Sequence, residues 1–117
     1  MPTAWSLVDA AMTLRKDCFL IASGGIRTAA EAARAFALGA DLVGITGPIL
    51  RLVIEKDVKT AAEYVKGLVE GLVKYMSLLG CQNVNELRNV PLIITGETKT
   101  FIECRGYELK SLCRSRR

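Results

Sequence analysis

Histidine is absent from this chain of 117 residues. Its absence removes Ser–His and Cys–His nucleophile pairs and the commonest ligand of zinc sites. The four cysteines, Cys18, Cys81, Cys104 and Cys113, are scattered, with no C-x-x-C pair among them. No metal site is expected from them, and free thiols in a reducing cytosol are the simpler reading. No apolar run approaches the ~18 residues that span a bilayer. The start, Met1-Pro2-Thr3-Ala4-Trp5, lacks the basic region and apolar core of a signal peptide. The expectation is a cytoplasmic chain with no membrane partner. No catalytic acid–base pair stands out either: Glu31, Glu63, Glu70 and Glu86 fall at helix starts or on polar faces, where carboxylates cap or are solvated. The formal charge is +4, but four arginines lie between Arg105 and Arg117. Without interleaved aromatics, Arg114-Ser115-Arg116-Arg117 reads as a solvated tail, and no nucleic-acid partner is expected.

What the chain does have is Ser23-Gly24-Gly25-Ile26-Arg27 directly after the apolar run Cys18-Phe19-Leu20-Ile21-Ala22. A strand that ends in paired glycines and then opens a helix suits a phosphate. Glycine lets the backbone approach an anion at positive φ, the helix start offers N–H groups and the positive dipole end, and Arg27 adds a guanidinium fork. A second such unit follows, Gly44-Ile45-Thr46-Gly47-Pro48 after Ala40-Asp41-Leu42-Val43. Gly-Gly-x-Arg alone fits a strand-end turn with a surface arginine equally well. Two units in succession point to a phosphate held by Gly25, Ile26 and Arg27 on one side and by Thr46 and Gly47 on the other, the Thr46 hydroxyl donating a further bond. They look like the phosphate corner after the last two strands of a (β/α)8 barrel. A complete barrel takes roughly 250 residues, and only two strong buried strands are visible here. The expected fold is therefore α/β: a partial (β/α)8 TIM barrel of the last two strand–helix units with a helical C-terminal extension. Residues 1–58 would form the barrel portion with its phosphate loops, and 59–117 the helical extension of the same domain. Half of the residues are apolar, which fits elements made to pack against something larger.

Along the chain, Thr3 can cap a helix through about Arg15, with Trp5, Val8 and Met12 on one face. Lys16-Asp17 is a turn, and Cys18 to Ala22 a buried parallel strand. Thr28-Ala29-Ala30-Glu31 is a capping box for a helix to Leu38 that Gly39 ends. Leu42 to Ile45 is the second buried strand, with Asp41 a turn residue before it. Pro48 suits the first turn of a helix from Ile49 to about Glu55. Thr60-Ala61-Ala62-Glu63 reads as a second capping box, opening a long helix that stops at Gly80. Its apolar stripe of Val65, Leu68, Val69, Leu72, Met76 and Leu79 is core packing. Asn83 can cap a short helix through Asn89 with Leu87 buried. Pro91 to Ile94 is extended, and Thr95 or Gly96 leads a last helix to about Arg105, closed by Gly106.

The stretch Ser23 to Arg27, with Ala35-Phe36-Ala37-Leu38-Gly39-Ala40-Asp41 and Gly44 to Pro48, resembles the flavin-mononucleotide (FMN) barrels, among them the 2-hydroxy-acid oxidases and the inosine-monophosphate dehydrogenase group. Leu79-Gly80-Cys81-Gln82-Asn83-Val84-Asn85-Glu86-Leu87, Pro91-Leu92-Ile93-Ile94-Thr95-Gly96 and Phe101-Ile102-Glu103-Cys104-Arg105-Gly106 are similar to the C-terminal part of the type 2 isopentenyl-diphosphate δ-isomerases. Pro2-Thr3-Ala4 fits the segment after that family's sixth strand, so the resemblance covers nearly the whole chain. It implies an enzyme of isoprenoid biosynthesis that interconverts isopentenyl and dimethylallyl diphosphate with reduced FMN, regenerated by NADPH, and Mg²⁺. By the same resemblance Gly25, Ile26, Arg27, Thr46 and Gly47 bind the FMN phosphate, and the protein is a homo-oligomer. The family often has Ala and a larger residue where this chain has Thr46-Gly47. Its metal ligands, its contacts to isopentenyl diphosphate and its ring contacts lie in an N-terminal part outside this sequence, so catalytic and metal residues are expected to be none here and the chain inactive alone. The alternative is a stand-alone phosphate- or flavin-binding or assembly module that dimerises to complete a sheet, without catalysis. A hydroxy-acid oxidase shares the glycine loops, but that family needs an active-site histidine and arginine just before this region, and the segment Pro91-Leu92-Ile93-Ile94-Thr95-Gly96 does not fit it.

Overall fold

The computed structural model describes residues 1–114. The end of the arginine-rich tail, residues 115–117, and the side chains of Ser111, Cys113 and Arg114 lie outside the described part.

Pro2 precedes the first helix, α1 (Thr3–Thr13), and acts as its N-cap residue. Thr3 therefore lies inside the helix and does not cap it. Proline's fixed φ suits the helix entry, which leaves the Thr3 hydroxyl for another partner. The buried face of α1 carries Leu7 and Val8, whereas Met12 points outward. After the turn at Lys16-Asp17, β1 spans Ile21–Ser23 only. α2 (Ala29–Ala37) follows, with the full reciprocal capping box between Thr28 and Glu31. β2 (Leu42–Gly44) then pairs parallel with β1, Ile21 opposite Leu42 and Ser23 opposite Gly44. The remaining elements are helical: α3 (Gly47–Glu55), α4 (Val58–Leu78), a 3₁₀ turn (Val84–Asn89), α5 (Gly96–Cys104) and α6 (Leu109–Arg114). The fold is thus a mixed α/β one, with a two-stranded parallel sheet and mostly helices.

The expected buried strands are shorter and only half covered. Leu20 and Ala22 face α1 and α2, inside a core with Leu7, Ile26, Ala32 and Ala35. Phe19, Ile21 and Leu42 are 70, 60 and 51 % exposed. Side chains alternate across a strand, and the helices here cover only one face. The small alanines of α2 let it lie close on the sheet, and α4 packs across its other side. A second cluster joins Val8 of α1 to Ile102 of α5 and Leu112 of α6.

Two capping assignments shift. α4 begins one turn before Thr60, because the Asp57 carboxylate accepts from the Thr60 N–H at 2.7 Å. The Thr60 hydroxyl first, and then its N–H, hold the Asp57 carboxyl below its ordinary value. Asn83 does cap the 3₁₀ turn, accepting from Glu86 N–H at 3.1 Å, and Leu87 is buried. Two polar ties had no local signal. Arg88 pairs with Asp41 and also donates to the Ala40 carbonyl at 3.1 Å, while Asp41 accepts from Leu20 N–H at 2.8 Å. Asp41 is therefore more than a turn residue: it locks β1 to the 3₁₀ turn. The Asp9 carboxylate accepts from the Tyr107 hydroxyl and twice from Arg105, at 3.0 and 2.8 Å. The Tyr107 hydrogen bond first, and then Arg105, hold the Asp9 carboxyl below its ordinary value.

Candidate functional site

The β1 end and the β2 end lie side by side because their strands are in register, and both chains leave the sheet at the same edge. Gly24 and Gly25 turn β1 toward α2 at φ of 102° and 78°, a region other residues enter only under strain. A Cβ on Gly25 would meet no atom within 4 Å, so the demand there is conformational. At the neighbouring edge, a Cβ on Gly44 would come within 3.2 Å of the Ser23 hydroxyl. Glycine thus lets the two loops approach each other.

Between the loops is a cavity of about 550 Å³, lined by residues 23–27 and 44–48 with Arg51, Leu52 and Tyr64. All five residues expected to hold the phosphate, Gly25, Ile26, Arg27, Thr46 and Gly47, border this one cleft. They do so differently. The Ile26 side chain is buried in the core, so only its backbone can serve the cleft. The N–H groups of Gly25 and Ile26 have no acceptor among the described residues. Arg27 N–H, by contrast, donates to Glu31 Oε2 at 2.7 Å, and Thr28 N–H to the same oxygen at 3.1 Å. These backbone bonds, that of Arg27 first, hold the Glu31 carboxyl below its ordinary value.

The expectation that the start of α2 faces the phosphate is corrected by this capping box. A carboxylate already sits at the positive end of α2, and the first turn of that helix does not border the cleft. The helix start that does border it is that of α3, whose first turn brings Gly47 and Pro48. Thr46 is the N-cap residue there, but its hydroxyl makes no capping bond.

Three polar side chains that the sequence did not announce serve this site, Arg51 and Tyr64 in its lining and Thr3 behind it. Arg51 borders the cleft on the same side of α3 as Gly47, four residues earlier, so helical spacing would have found it. Tyr64 arrives from α4, and its hydroxyl donates to the Arg27 carbonyl. Thr3 arrives from α1, and its hydroxyl donates to the Gly24 carbonyl at 2.5 Å. Those two contacts depend on long-range packing. Among the described residues no cluster of His, Cys, Asp or Glu could hold a metal ion, and no helix is long and apolar enough to cross a membrane. Cys18, Cys81 and Cys104 form no disulfide among the described residues. Chemically, the cleft offers backbone donors, the hydroxyls of Ser23, Thr46 and Tyr64 and two guanidinium groups, and no carboxylate lines it. It can bind an anion.

Residues 1–93 match the sequence profile of the FMN-dependent dehydrogenases. An isopentenyl-diphosphate delta-isomerase of Geobacillus sp. (strain WCH70) is 40 % identical over 110 residues, 94 % of this chain and 31 % of that protein. An isopentenyl-diphosphate delta-isomerase of Methanopyrus kandleri is 33 % identical over 113 residues, 97 % of this chain and 31 % of its own length. A third, from Pyrococcus horikoshii, is 42 % identical over 97 residues, which are 83 % of this chain and 26 % of that relative. The resemblance read from the sequence stands, and the chain spans about three-tenths of the length of the relatives it matches.

Proposed function

Because this chain belongs to the FMN-dependent dehydrogenase family, we propose that the cleft between residues 23–27 and 44–48 holds the phosphate of FMN. The observation that carries this reading is the convergence of all five expected residues on one cavity of about 550 Å³. Its size is in the range of small-molecule sites, roughly 300–1,000 Å³. Its chemistry fits the group: backbone N–H groups of Gly25 and Ile26 with no internal acceptor, the Thr46 hydroxyl and Gly47 at the start of α3, and the guanidinium groups of Arg27 and Arg51. A dianionic phosphate is matched by two cations and by donors that need no reorganisation. When bound, the flavin ring supplies the reactive chemistry, and this chain anchors and orients the far end of the cofactor.

The activity we propose for the whole protein is interconversion of isopentenyl and dimethylallyl diphosphate, with reduced FMN, NADPH and Mg²⁺, in the cytoplasm and as a homo-oligomer. The names of the relatives support it. In this reading residues 1–58 are the last two strand–helix units of a (β/α)8 barrel, and 59–117 are its helical extension. The uncovered apolar face of the sheet, with Phe19, Ile21 and Leu42, would then meet the remaining strands and their fillings. This chain spans about three-tenths of the length of its relatives, and no carboxylate lines the cleft, so the 117 residues alone should not turn over isopentenyl diphosphate. Turnover by the purified chain with FMN, NADPH and Mg²⁺ would refute that.

The phosphate assignment is tested by titrating the chain with FMN and with riboflavin, which lacks the phosphate. The chain should prefer FMN. Arg27→Ala should lose about ten-fold or more of the FMN affinity, the scale of one charge-assisted bond, and leave riboflavin unchanged. Equal binding of the two flavins by the unmutated chain would sink the assignment.

A further inference from the structure

An anion site built from a loop has a polarity problem. Every peptide unit of the loop carries a donor and an acceptor, and only the donors are wanted facing a phosphate. In a trans peptide the C=O and the following N–H lie in one plane and point in opposite directions. Among these units the one joining Gly24 to Gly25 is the least constrained, because neither residue has a side chain to resist rotation. If it flipped, the Gly24 carbonyl would turn toward the cleft and the Gly25 N–H away from it. An anion would then meet a partial negative charge.

The structure contains a device against this flip. The Thr3 hydroxyl, freed from capping by Pro2, donates to the Gly24 carbonyl at 2.5 Å. That bond holds the carbonyl toward α1 and so directs the Gly25 N–H the opposite way. A Cβ on Gly24 would lie 3.4 Å from the same Thr3 oxygen, so the contact is close. The unit joining Arg27 to Thr28 is held on both of its sides: its carbonyl accepts from the Tyr64 hydroxyl, and its N–H donates to Glu31. Two hydroxyls from two distant helices thus pin the two carbonyls that flank the segment carrying the donors.

We propose that Thr3 and Tyr64 are positioning residues that set the polarity of the phosphate loop, Thr3 by orienting the Gly25 N–H and Tyr64 by fixing the peptide after Arg27. Thr3 lies behind the cleft lining, and the Tyr64 hydroxyl, which borders the cleft, gives its proton to the Arg27 carbonyl. Their effect is confined to ligands that carry a phosphate. This inference rests on the FMN-phosphate reading of the cleft.

The test uses Thr3→Val, which keeps the side-chain shape and removes the hydroxyl, Thr3→Ser, which restores it, and Tyr64→Phe. FMN and riboflavin are titrated into each, and each is melted by far-UV circular dichroism. Thr3→Val and Tyr64→Phe should each weaken FMN about three- to ten-fold, the scale of one neutral hydrogen bond, with riboflavin affinity unchanged. Thr3→Ser should bind FMN like the unmutated chain. If the unmutated chain prefers FMN but Thr3→Val and Tyr64→Phe bind it equally well, the positioning role is wrong and the phosphate site stands. If Thr3→Val weakens both flavins alike, or if Thr3→Ser is as weak as Thr3→Val, the hydroxyl acts on packing only and the proposal falls. If the unmutated chain shows no preference for FMN, both readings fall together.

Discussion

Gly67 and Gly71 lie one turn apart in the interior of α4, yet alanine should have opposite effects at the two. At both positions alanine removes backbone freedom from the unfolded chain and raises helix propensity, a gain of about 0.8–1 kcal/mol. At Gly67 a Cβ would meet nothing within 4 Å, so the gain is kept. At Gly71 it would lie 2.8 Å from the Cβ of Ala29, the first residue of α2. Carbon atoms rest at about 3.5–4.0 Å, and an alanine methyl has no rotamer by which to withdraw. The two helices must separate by the better part of an ångström, and overpacking of this kind costs about 1–3 kcal/mol. Gly71→Ala should therefore lie about 1–3 kcal/mol below Gly67→Ala, with the first near neutral to destabilised and the second stabilised. Urea unfolding followed by far-UV circular dichroism, at one fixed protein concentration, measures both. A second consequence links packing to the site. Tyr64 lies two turns before Gly71 on the same face of α4, so moving the helix outward draws its hydroxyl from the Arg27 carbonyl. FMN affinity should fall in Gly71→Ala and hold in Gly67→Ala. Equal stabilisation by the two substitutions would refute the reasoning.

The carboxyls of Glu31, Asp57 and Asp9 are all held below their ordinary values by bonds made in the fold. Their stabilisation is fully present above the unfolded carboxylate range of about 4 and is lost as pH falls through the lower folded values; urea midpoints should be flat from about pH 7 to 5 and drop below about 4, and Glu31→Gln should flatten that drop. Arg88 and Asp41 are 16 and 17 % exposed in their side chains, so Arg88→Met leaves a mostly buried carboxylate. Since Asp41 keeps its bond from Leu20 N–H, the expected loss is about 2 kcal/mol, short of the roughly 3–5 kcal/mol for a fully stranded charge, and a loss under about 0.5 kcal/mol would show the pair to be solvated. The uncovered apolar face of the sheet should drive self-association: sedimentation should show a mass that rises with concentration, and Ile21→Lys should suppress it. A monomer at all concentrations would contradict this.

The parts of this protein that could be read from its sequence are those whose partners lie within a few residues. Thr28 and Glu31 are three apart, and their capping box formed as expected. The glycine loops were legible because positive φ and close approach are properties of the glycines themselves. Thr60 matches the same capping box and Thr3 is a candidate cap, and neither caps its helix, each for a local reason: Pro2 and Asp57 stood earlier and took the cap. Apart from Arg51 and the Asp57 cap, the missed features are long-range. Asp41 and Arg88 are 47 residues apart, and Trp5 stacks on Phe101 with ring centroids 4.8 Å apart. The last helix is expected to close at Gly106, yet α6 forms beyond it, where Leu112 packs with Val8 and Ile102.

The same division explains the site. Gly25, Ile26, Arg27, Thr46 and Gly47 come from two consecutive strand ends, so a reader of the sequence meets them as two motifs. What turns the motifs into a binding surface comes from elsewhere: Thr3 from the first helix and Tyr64 from the fourth. The strands show the limit from the opposite direction. Cys18 to Ala22 is apolar at nearly every position, the composition of a strand covered on both faces, and in these 117 residues only Leu20 and Ala22 are covered. Composition of this kind records the surroundings a segment is suited to, and here those surroundings exceed what the chain's own helices supply. Supplying a cover for Phe19, Ile21 and Leu42 should therefore stabilise the sheet without altering the phosphate loops, whose geometry is already held by α1, α2 and α4.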